Sequence, residues 1–212
     1  NFERIMPVPD SHTLVIGVSG IIAEKTGDAM AKYNRASGLA FAALHDWNQT
    51  SKRGDPHLAA AVRSAGAEEI RNVLSISQST DFSAEDLTRR FDHFALENEE
   101  ILPQAGDALS AGDVVGFGRW ANESQLRGVE LLQNQIPETE ALAKLAVSLG
   151  AAGASAFGAG FGGSVWALVA RDSVDAFLGE WKRGYLENFP QHQRLSQFFS
   201  TEASVGAFEV VA

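Results

Sequence analysis

The sequence predicts an α+β fold, an antiparallel sheet in split βαβ order with additional helices inserted in the first crossover. Three observations carry this. A strongly apolar stretch at residues 13–20 is followed by a long region whose apolar positions recur at helical spacing. Two short apolar strands, 153–158 and 164–170, then stand on either side of a glycine-rich turn. A last amphipathic helix and an alternating segment at residues 205–211 follow them.

Taken in order, residues 2–9 alternate apolar and polar, residues 10–12 offer a turn, and residues 13–20 read as the more buried strand of a β-hairpin. From about Ile21 the period changes. Met30, Tyr33, Ser37, Ala40, Leu44 and Trp47 fall three or four apart and mark the inner face of a long helix. Residues 49–56 are polar, with Gly54 and Pro56, and read as a loop. Short helices are expected over 57–65 and 67–75. Ser83 followed by Glu85 and Asp86 signals a helix start, because carboxylates in the first turn complement the helix dipole.

The inner stripe of that helix is Leu87, Phe91, Phe94, Leu102, Ala105 and Leu109. Ala111, Gly112 and Asp113 break it, and another helix runs over about 114–132. Pro137 opens the next, with Leu142, Leu145 and Leu149 inward and Gly150 as its stop. Asp172 and Ser173 are read as the cap of a helix carrying Val174, Phe177, Leu178, Trp181 and Tyr185 on one side. Residues 205–211 are the expected closing strand. No repeat, low-complexity tract or domain boundary is visible, so residues 1–212 are expected to form one domain.

Composition narrows the function classes. With 212 residues, 45% hydrophobic content, 13 Phe and 4 Trp, the chain has ample material for a core and is not of the disordered type. A net charge of −10 without a run of Lys and Arg argues against nucleic acid as a partner. The absence of cysteine excludes disulfides and thiolate metal sites. No apolar run approaches the length of a membrane span, so no membrane partner is expected and a cytoplasmic location is. Asn1 in first position, ahead of a segment that reads like mid-protein strand, suggests a piece of a longer chain.

Several constellations are set aside. His12, His45, His57, His93 and His192 are scattered without metal-ligand spacing, so no metal site is assigned. Glu97, Glu99 and Glu100 face different ways on a helix and read as a solvated face. Arg53-Gly54-Asp55 is a chance match in a loop, and Ser19-Gly20 lacks the flanks of a nucleophile elbow.

The most informative segment is residues 153–169. Gly158, Gly160, Gly162 and Gly163 fall within six positions, with Ala159 and Phe161 between them. A hairpin needs one or two residues of positive φ, not four glycines. Two readings are open: a bulge or tightly packed turn, or a loop whose backbone N–H groups converge on a phosphate.

The run GASAFGAGFGGSV at residues 153–165 resembles the third signature motif of the GHMP kinases, in the form common among galactokinases. Gly153, Ala154 and Gly158 to Gly163 match, whereas Ser155, Ala156 and Phe157 stand where that family usually has a basic residue, Met and Thr. Tyr33 and Asn34 match a Tyr-Asn-x-Arg-Arg stretch, with Ala36 and Ser37 in place of the two arginines. His93, Glu97, Asn98, Asn122 and Ser124 match a helical pair, with Gln125 for the usual histidine. Asn98 interrupts an apolar stripe and reads as a satisfied buried amide.

The resemblance implies a ferredoxin-like split βαβ domain of the GHMP kinase C-terminal type. It implies a parent protein that moves the γ-phosphate of ATP, with Mg²⁺, to a sugar hydroxyl. The implied partners are the sugar, ATP and an N-terminal GHMP half. It puts the turn Gly158, Ala159, Gly160, Phe161, Gly162 and Gly163 at the nucleotide and phosphate site, and Tyr33 against the sugar. Tyr33 also lies on the apolar stripe, so core packing is the other reading of it. The phosphate loop and catalytic Asp of the family are not found in these residues, so no catalytic residue is assigned here and the chain by itself is expected to be inactive. Other sugars, such as arabinose, and a catalytically dead sugar sensor are the alternatives.

Overall fold

The structure is a computed structural model that describes residues 6–23 and 28–203. Its strands are β1 (His12–Val18), β2 (Gly153–Ala156), β3 (Ser164–Ala170) and β4 (Gln197–Thr201). They form one antiparallel sheet in the order β2-β3-β1-β4, with Val15 opposite Ala167 and Gly17 opposite Phe198. This is the expected α+β class with the split βαβ, ferredoxin-like order. β1 and β3 lie in the middle, where both edges of each are paired, and their apolar runs are buried accordingly.

The helices are α1 (Asp28–Ser51), α2 (Leu58–Ala65), α3 (Ala67–Ser75), α4 (Ala84–Leu96), α5 (Leu102–Ser110), α6 (Val114–Arg127), α7 (Pro137–Ser148) and α8 (Val174–Asn188). Ser83 caps α4 as expected, its hydroxyl accepting the Asp86 N–H at 3.1 Å, and Asp113 caps α6 through the Gly116 N–H at 2.8 Å. Pro137 occupies the first turn of α7, and Gly150 follows that helix at φ 98°.

Two apolar clusters hold the fold. In the first, Val15, Val165, Ala167 and Val169 on one face of the sheet meet Leu142 of α7 and Phe177, Trp181 and Tyr185 of α8. Trp181 is fully buried and its indole N–H donates to the Leu142 carbonyl at 3.0 Å, tying α8 to α7. In the second, Leu39, Ala43 and Trp47 of α1 pack with Ile70, Leu74, Leu87 and Phe91. Trp47 is also fully buried and donates to Asp55 at 2.9 Å. Complete burial of each such ring contributes about 2–3 kcal/mol, and satisfying its N–H avoids the cost of an orphaned donor.

Several expectations are corrected. Residues 6–9 form no strand; β1 instead pairs with β3 and β4, and residues 2–5 lie outside the described residues. The strand bordering β1 is Gln197–Thr201, while residues 205–211 also lie outside. Residues 21–23 are not helical, and α1 runs on to Ser51, into the expected loop. The buried row of α1 is Leu39, Ala43 and Trp47, and Met30 is exposed.

Farther along, Ile101 rather than Leu102 faces the core. The π-helical turn Glu97–Ile101 adds a residue and rotates the stripe that a constant 3.6 period would extend. A second π turn, Gly128–Leu132, ends the helix begun by α6. Ser173 makes no cap bond to α8; a 3₁₀ turn at Arg171–Ser173 leads into that helix instead.

Candidate functional site

The turn between β2 and β3 runs through a series of left-handed conformations. Gly158, Gly160, Phe161, Gly162 and Gly163 have φ of 63°, 85°, 60°, 131° and 83°. Phe161 is the one side chain that accepts such a backbone here, at a cost of about 1–2 kcal/mol. Three contacts offset it. Its N–H donates to the Asn134 carbonyl at 2.6 Å, its ring meets Tyr33 edge-on at 5.2 Å, and the Lys32 ammonium stands 5.6 Å from the ring centre.

Gly160 shows why the turn excludes side chains. A Cβ there would lie 2.0 Å from the Asn134 carbonyl oxygen. The tight packing that one reading of this segment expected is therefore made, at Gly160, against another part of the same chain. From the side of the sheet, the Gly163 N–H donates to the Ile21 carbonyl at 2.8 Å, and Ser19 donates to the Gly163 carbonyl at 3.0 Å. Tyr185 of α8 in turn donates to the Ser19 carbonyl at 2.6 Å. Burial, with the Glu138 carboxylate adding to it, raises the Tyr185 phenol well above its ordinary range, so it stays a donor.

Helix α1 brings Tyr33 to the same place. Its hydroxyl donates to the Gly160 carbonyl at 2.9 Å. The two candidates read separately from the sequence, Tyr33 and the turn Gly158 to Gly163, thus share one hydrogen bond. Because that bond uses the phenolic proton, the oxygen keeps acceptor capacity for a ligand hydroxyl.

The backbone donors of the turn are only partly used. Among the described residues, the N–H groups of Phe157, Phe161 and Gly163 have backbone acceptors, and those of Gly158, Ala159, Gly160 and Gly162 have none. Gly158 and Ala159 are exposed. Gly158 is left-handed and Ala159 is not, and successive donors in such alternating turn conformations can form a concavity suited to an anion.

A row of amides supports the turn from behind. Gln125 accepts the Ala156 N–H at 2.9 Å and the Ser155 hydroxyl at 3.3 Å, and donates to Gln135 at 3.2 Å. Gln135 donates to the Asn134 side chain at 2.9 Å, and Asn134 donates to the Ala159 carbonyl at 3.2 Å. Asn122 accepts the Ala154 N–H at 3.0 Å. Asn134 and Gln135 were missed in the sequence. The signal that could have found them is the run of three amides, Gln133 to Gln135, directly before the Ile136-Pro137 helix start.

The other matched positions spread over α4 to α6. Glu97 accepts from Ser124 at 2.6 Å, so it crosslinks helices rather than lying on a solvated face, whereas Glu99 and Glu100 are exposed. Asn98 is partly exposed, not buried, and donates to Glu99 at 2.6 Å. His93 lies in the packed interior of the helical layer. Burial, and then the neighbouring Arg90 guanidinium, pulls it down to about 4, so it is neutral at physiological pH. His192 is buried against Tyr185 and Phe189 and meets Glu138 at 3.1 Å. Among the described residues no group of three His, Cys, Asp or Glu is placed to hold a metal ion. No helix there is long and apolar enough to cross a membrane.

Comparison with known proteins agrees with this architecture. Residues 107–187 match the family described as GHMP kinases C terminal. The Roseiflexus sp. (strain RS-1) galactokinase is 30% identical over 185 residues, covering 86% of this chain and 43% of that protein. The Pyrococcus furiosus galactokinase is 32% identical over 136 residues, covering 61% and 38%. A Lactococcus lactis galactokinase, solved in complex with galactose, superposes with a TM-score of 0.75 at 25% identity, covering 96% of this chain and 48% of that one. An L. major mevalonate kinase shares the fold at a TM-score of 0.51 and 16% identity, covering 96% and 46%. The chain thus spans less than half the length of these relatives. By its motif, its fold and these relatives, the chain carries a domain of the GHMP kinase C-terminal type and is similar to the C-terminal portion of galactokinases.

Proposed function

We propose that this chain supplies one wall of the sugar and nucleotide site of an ATP-dependent sugar kinase of the galactokinase type. The observation that carries the reading is the Tyr33 hydroxyl bonded to the Gly160 carbonyl, which puts the sugar candidate and the phosphate candidate within one hydrogen bond of each other. Phosphoryl transfer depends on positioning and charge stabilisation more than on covalent chemistry by the protein. In this reading the free N–H groups of Gly158 and Ala159 face a phosphate, and the Tyr33 oxygen accepts a sugar hydroxyl. The amide row holds the turn rigid, so that the two ligands meet in register. Mg²⁺ would accompany the nucleotide. The described residues of this chain offer no cluster to seat it. A phosphate loop and a base would come from an N-terminal half, so transfer by these 212 residues alone is not expected.

The sugar itself is proposed as galactose or a related hexose, from the named relatives. A second reading is a sugar-binding homologue without catalysis. Phe157, exposed at the head of the turn where the family usually has threonine, favours it. Tyr33→Phe in a protein carrying both halves separates these. The kinase reading expects the sugar KM to rise by about threefold to tenfold, as for one ordinary hydrogen bond. The ATP KM should rise less, because the amide row still holds the turn when the Tyr33–Gly160 bond is lost. Unchanged constants for both substrates would remove Tyr33 from the site. No transfer to any sugar by the unmodified two-half protein would leave the binding reading.

A further inference from the structure

Against Phe161, helices α1 and α4 and the segment leading into α7 enclose a cleft of about 250 Å³. Its lining brings together Lys32, Arg35, Arg89, Arg90, the amide of Gln135 and the Phe161 ring. Asp86 is the one carboxylate among the lining residues. It is already shared by Arg35, at 2.6 Å, and Arg89. Lys32 has the Phe161 ring nearby but no carboxylate partner among the described residues. Arg90 donates its Nε to the Ala36 carbonyl at 3.3 Å, and its buried Nη1 has no hydrogen-bond partner among the described residues. Burial pulls its guanidinium below the ordinary arginine value, as expected of a charge without a counter-ion.

Four cations thus surround one carboxylate in a chain whose net charge is −10. A solvated basic face would spread along one helix and attract the surplus carboxylates. These cations come from two helices and converge on a concave wall, which concentrates positive potential. With Asp86 neutralising one, three charges remain among the described residues. A carboxylate would balance only one of them. A phosphate monoester carries about −1.5 to −2 at neutral pH and offers three strong acceptor oxygens, matched to forked guanidinium donors. The volume lies below the roughly 300–1,000 Å³ of sites for larger organic ligands, which suits a small ester better than a nucleotide.

We propose that this cleft binds a phosphoryl group, presented by a small phosphomonoester or as inorganic phosphate. Because Phe161 belongs to both the cleft wall and the glycine turn, an occupant would bear on the turn as well. Identifying the ester as the sugar phosphate that a kinase releases rests on the function proposed above; the anion site itself does not.

The test is an NMR titration of the ¹⁵N-labelled chain at neutral pH and fixed ionic strength, with inorganic phosphate, a hexose 1-phosphate, the free hexose and chloride as separate arms. Both phosphates should shift the Phe161 amide and the Arg90 Nε–H resonances saturably, and the free hexose and chloride should not. Lys32→Gln changes an exposed side chain, so the fold is retained, and it should weaken phosphate binding about fivefold or more. Arg90→Gln should weaken it further. Tighter binding of the ester than of phosphate supports the ester as the occupant, and equal binding supports the phosphoryl group alone. No saturable shift, equal shifts with chloride, or an affinity unaltered by Lys32→Gln would overturn the proposal. The readout needs no turnover, so a parent protein without kinase activity would sink the proposed function and leave this site standing.

Discussion

Replacing Gly160 by alanine adds a single methyl group at the tightest point of the turn. That carbon would stand 2.0 Å from the Asn134 carbonyl oxygen and 2.8 Å from the Asn134 Cβ and Cγ, and Gly160 sits at φ 85°. The obstacle is backbone, which cannot swing aside as a side chain would. The Asn134 segment is further held by its N–H bond to the Gly128 carbonyl and its side-chain bond to the Ala159 carbonyl. To admit the methyl, the turn must withdraw, stretching the Phe161 N–H bond to Asn134 and the Tyr33 bond to Gly160. Left-handed backbone costs about 1–2 kcal/mol, and two lost hydrogen bonds add about 0.5–1.5 kcal/mol each. The expected loss is about 2–5 kcal/mol, a large part of a typical stability of about 5–15 kcal/mol. Gly158→Ala is the internal control, because its φ is 63° but nothing lies within 4 Å of the added carbon. It should cost only the backbone strain. Urea unfolding followed by tryptophan fluorescence measures both, with the denaturant slope compared between variants. If Gly160→Ala costs no more than Gly158→Ala, close approach to Asn134 is not what this glycine serves.

Gln125→Leu keeps the volume but strands the Ala156 N–H and removes the donor to Gln135. It should destabilise by about 1–3 kcal/mol, and faster hydrogen exchange at Ala156 than in the unmodified chain would locate the effect. His93 gives a pH dependence. Its folded value of about 4 lies below the ordinary 6.5, so the unfolded chain binds the extra proton first as pH falls. Its contribution is fully present above about pH 6.5 and disappears as pH drops through 4. That amounts to roughly 2 kcal/mol, allowing for its partial exposure. His93→Gln should flatten the stability profile between these limits, and an unchanged slope would show that His93 is not buried neutral.

The elements that could be read from the sequence are those with a strong local cause. Ser83 and Pro137 marked helix starts because capping and the missing proline N–H act within one turn of chain. The apolar runs of β1 and β3 were plain because central strands are buried on both faces. The fourth strand, Gln197–Thr201, was not read, since its residues are mostly exposed and it is held as a strand by pairing with β1. Leu102 was placed inward because a fixed helical period was extended through a π turn, which no local residue pattern announced.

The candidate site divides the same way. The glycine cluster and Tyr33 were legible, because four glycines in six positions exceed what a hairpin needs and the motif around them is specific. Sequence by itself determined the fold class, the family resemblance and these candidates, all of which depend on residues close together in the chain. Only the tertiary structure decided that Gly160 is required by Asn134, that Tyr33 donates to the turn, and that Lys32, Arg35, Arg89 and Arg90 share one cleft. No basic run exists in the sequence. The cations become neighbours because α1 and α4 pack side by side through Leu39, Leu87 and Phe91. Spacing along the chain brings together only the pairs Lys32 with Arg35 and Arg89 with Arg90, and burial of those apolar faces sets which pairs meet.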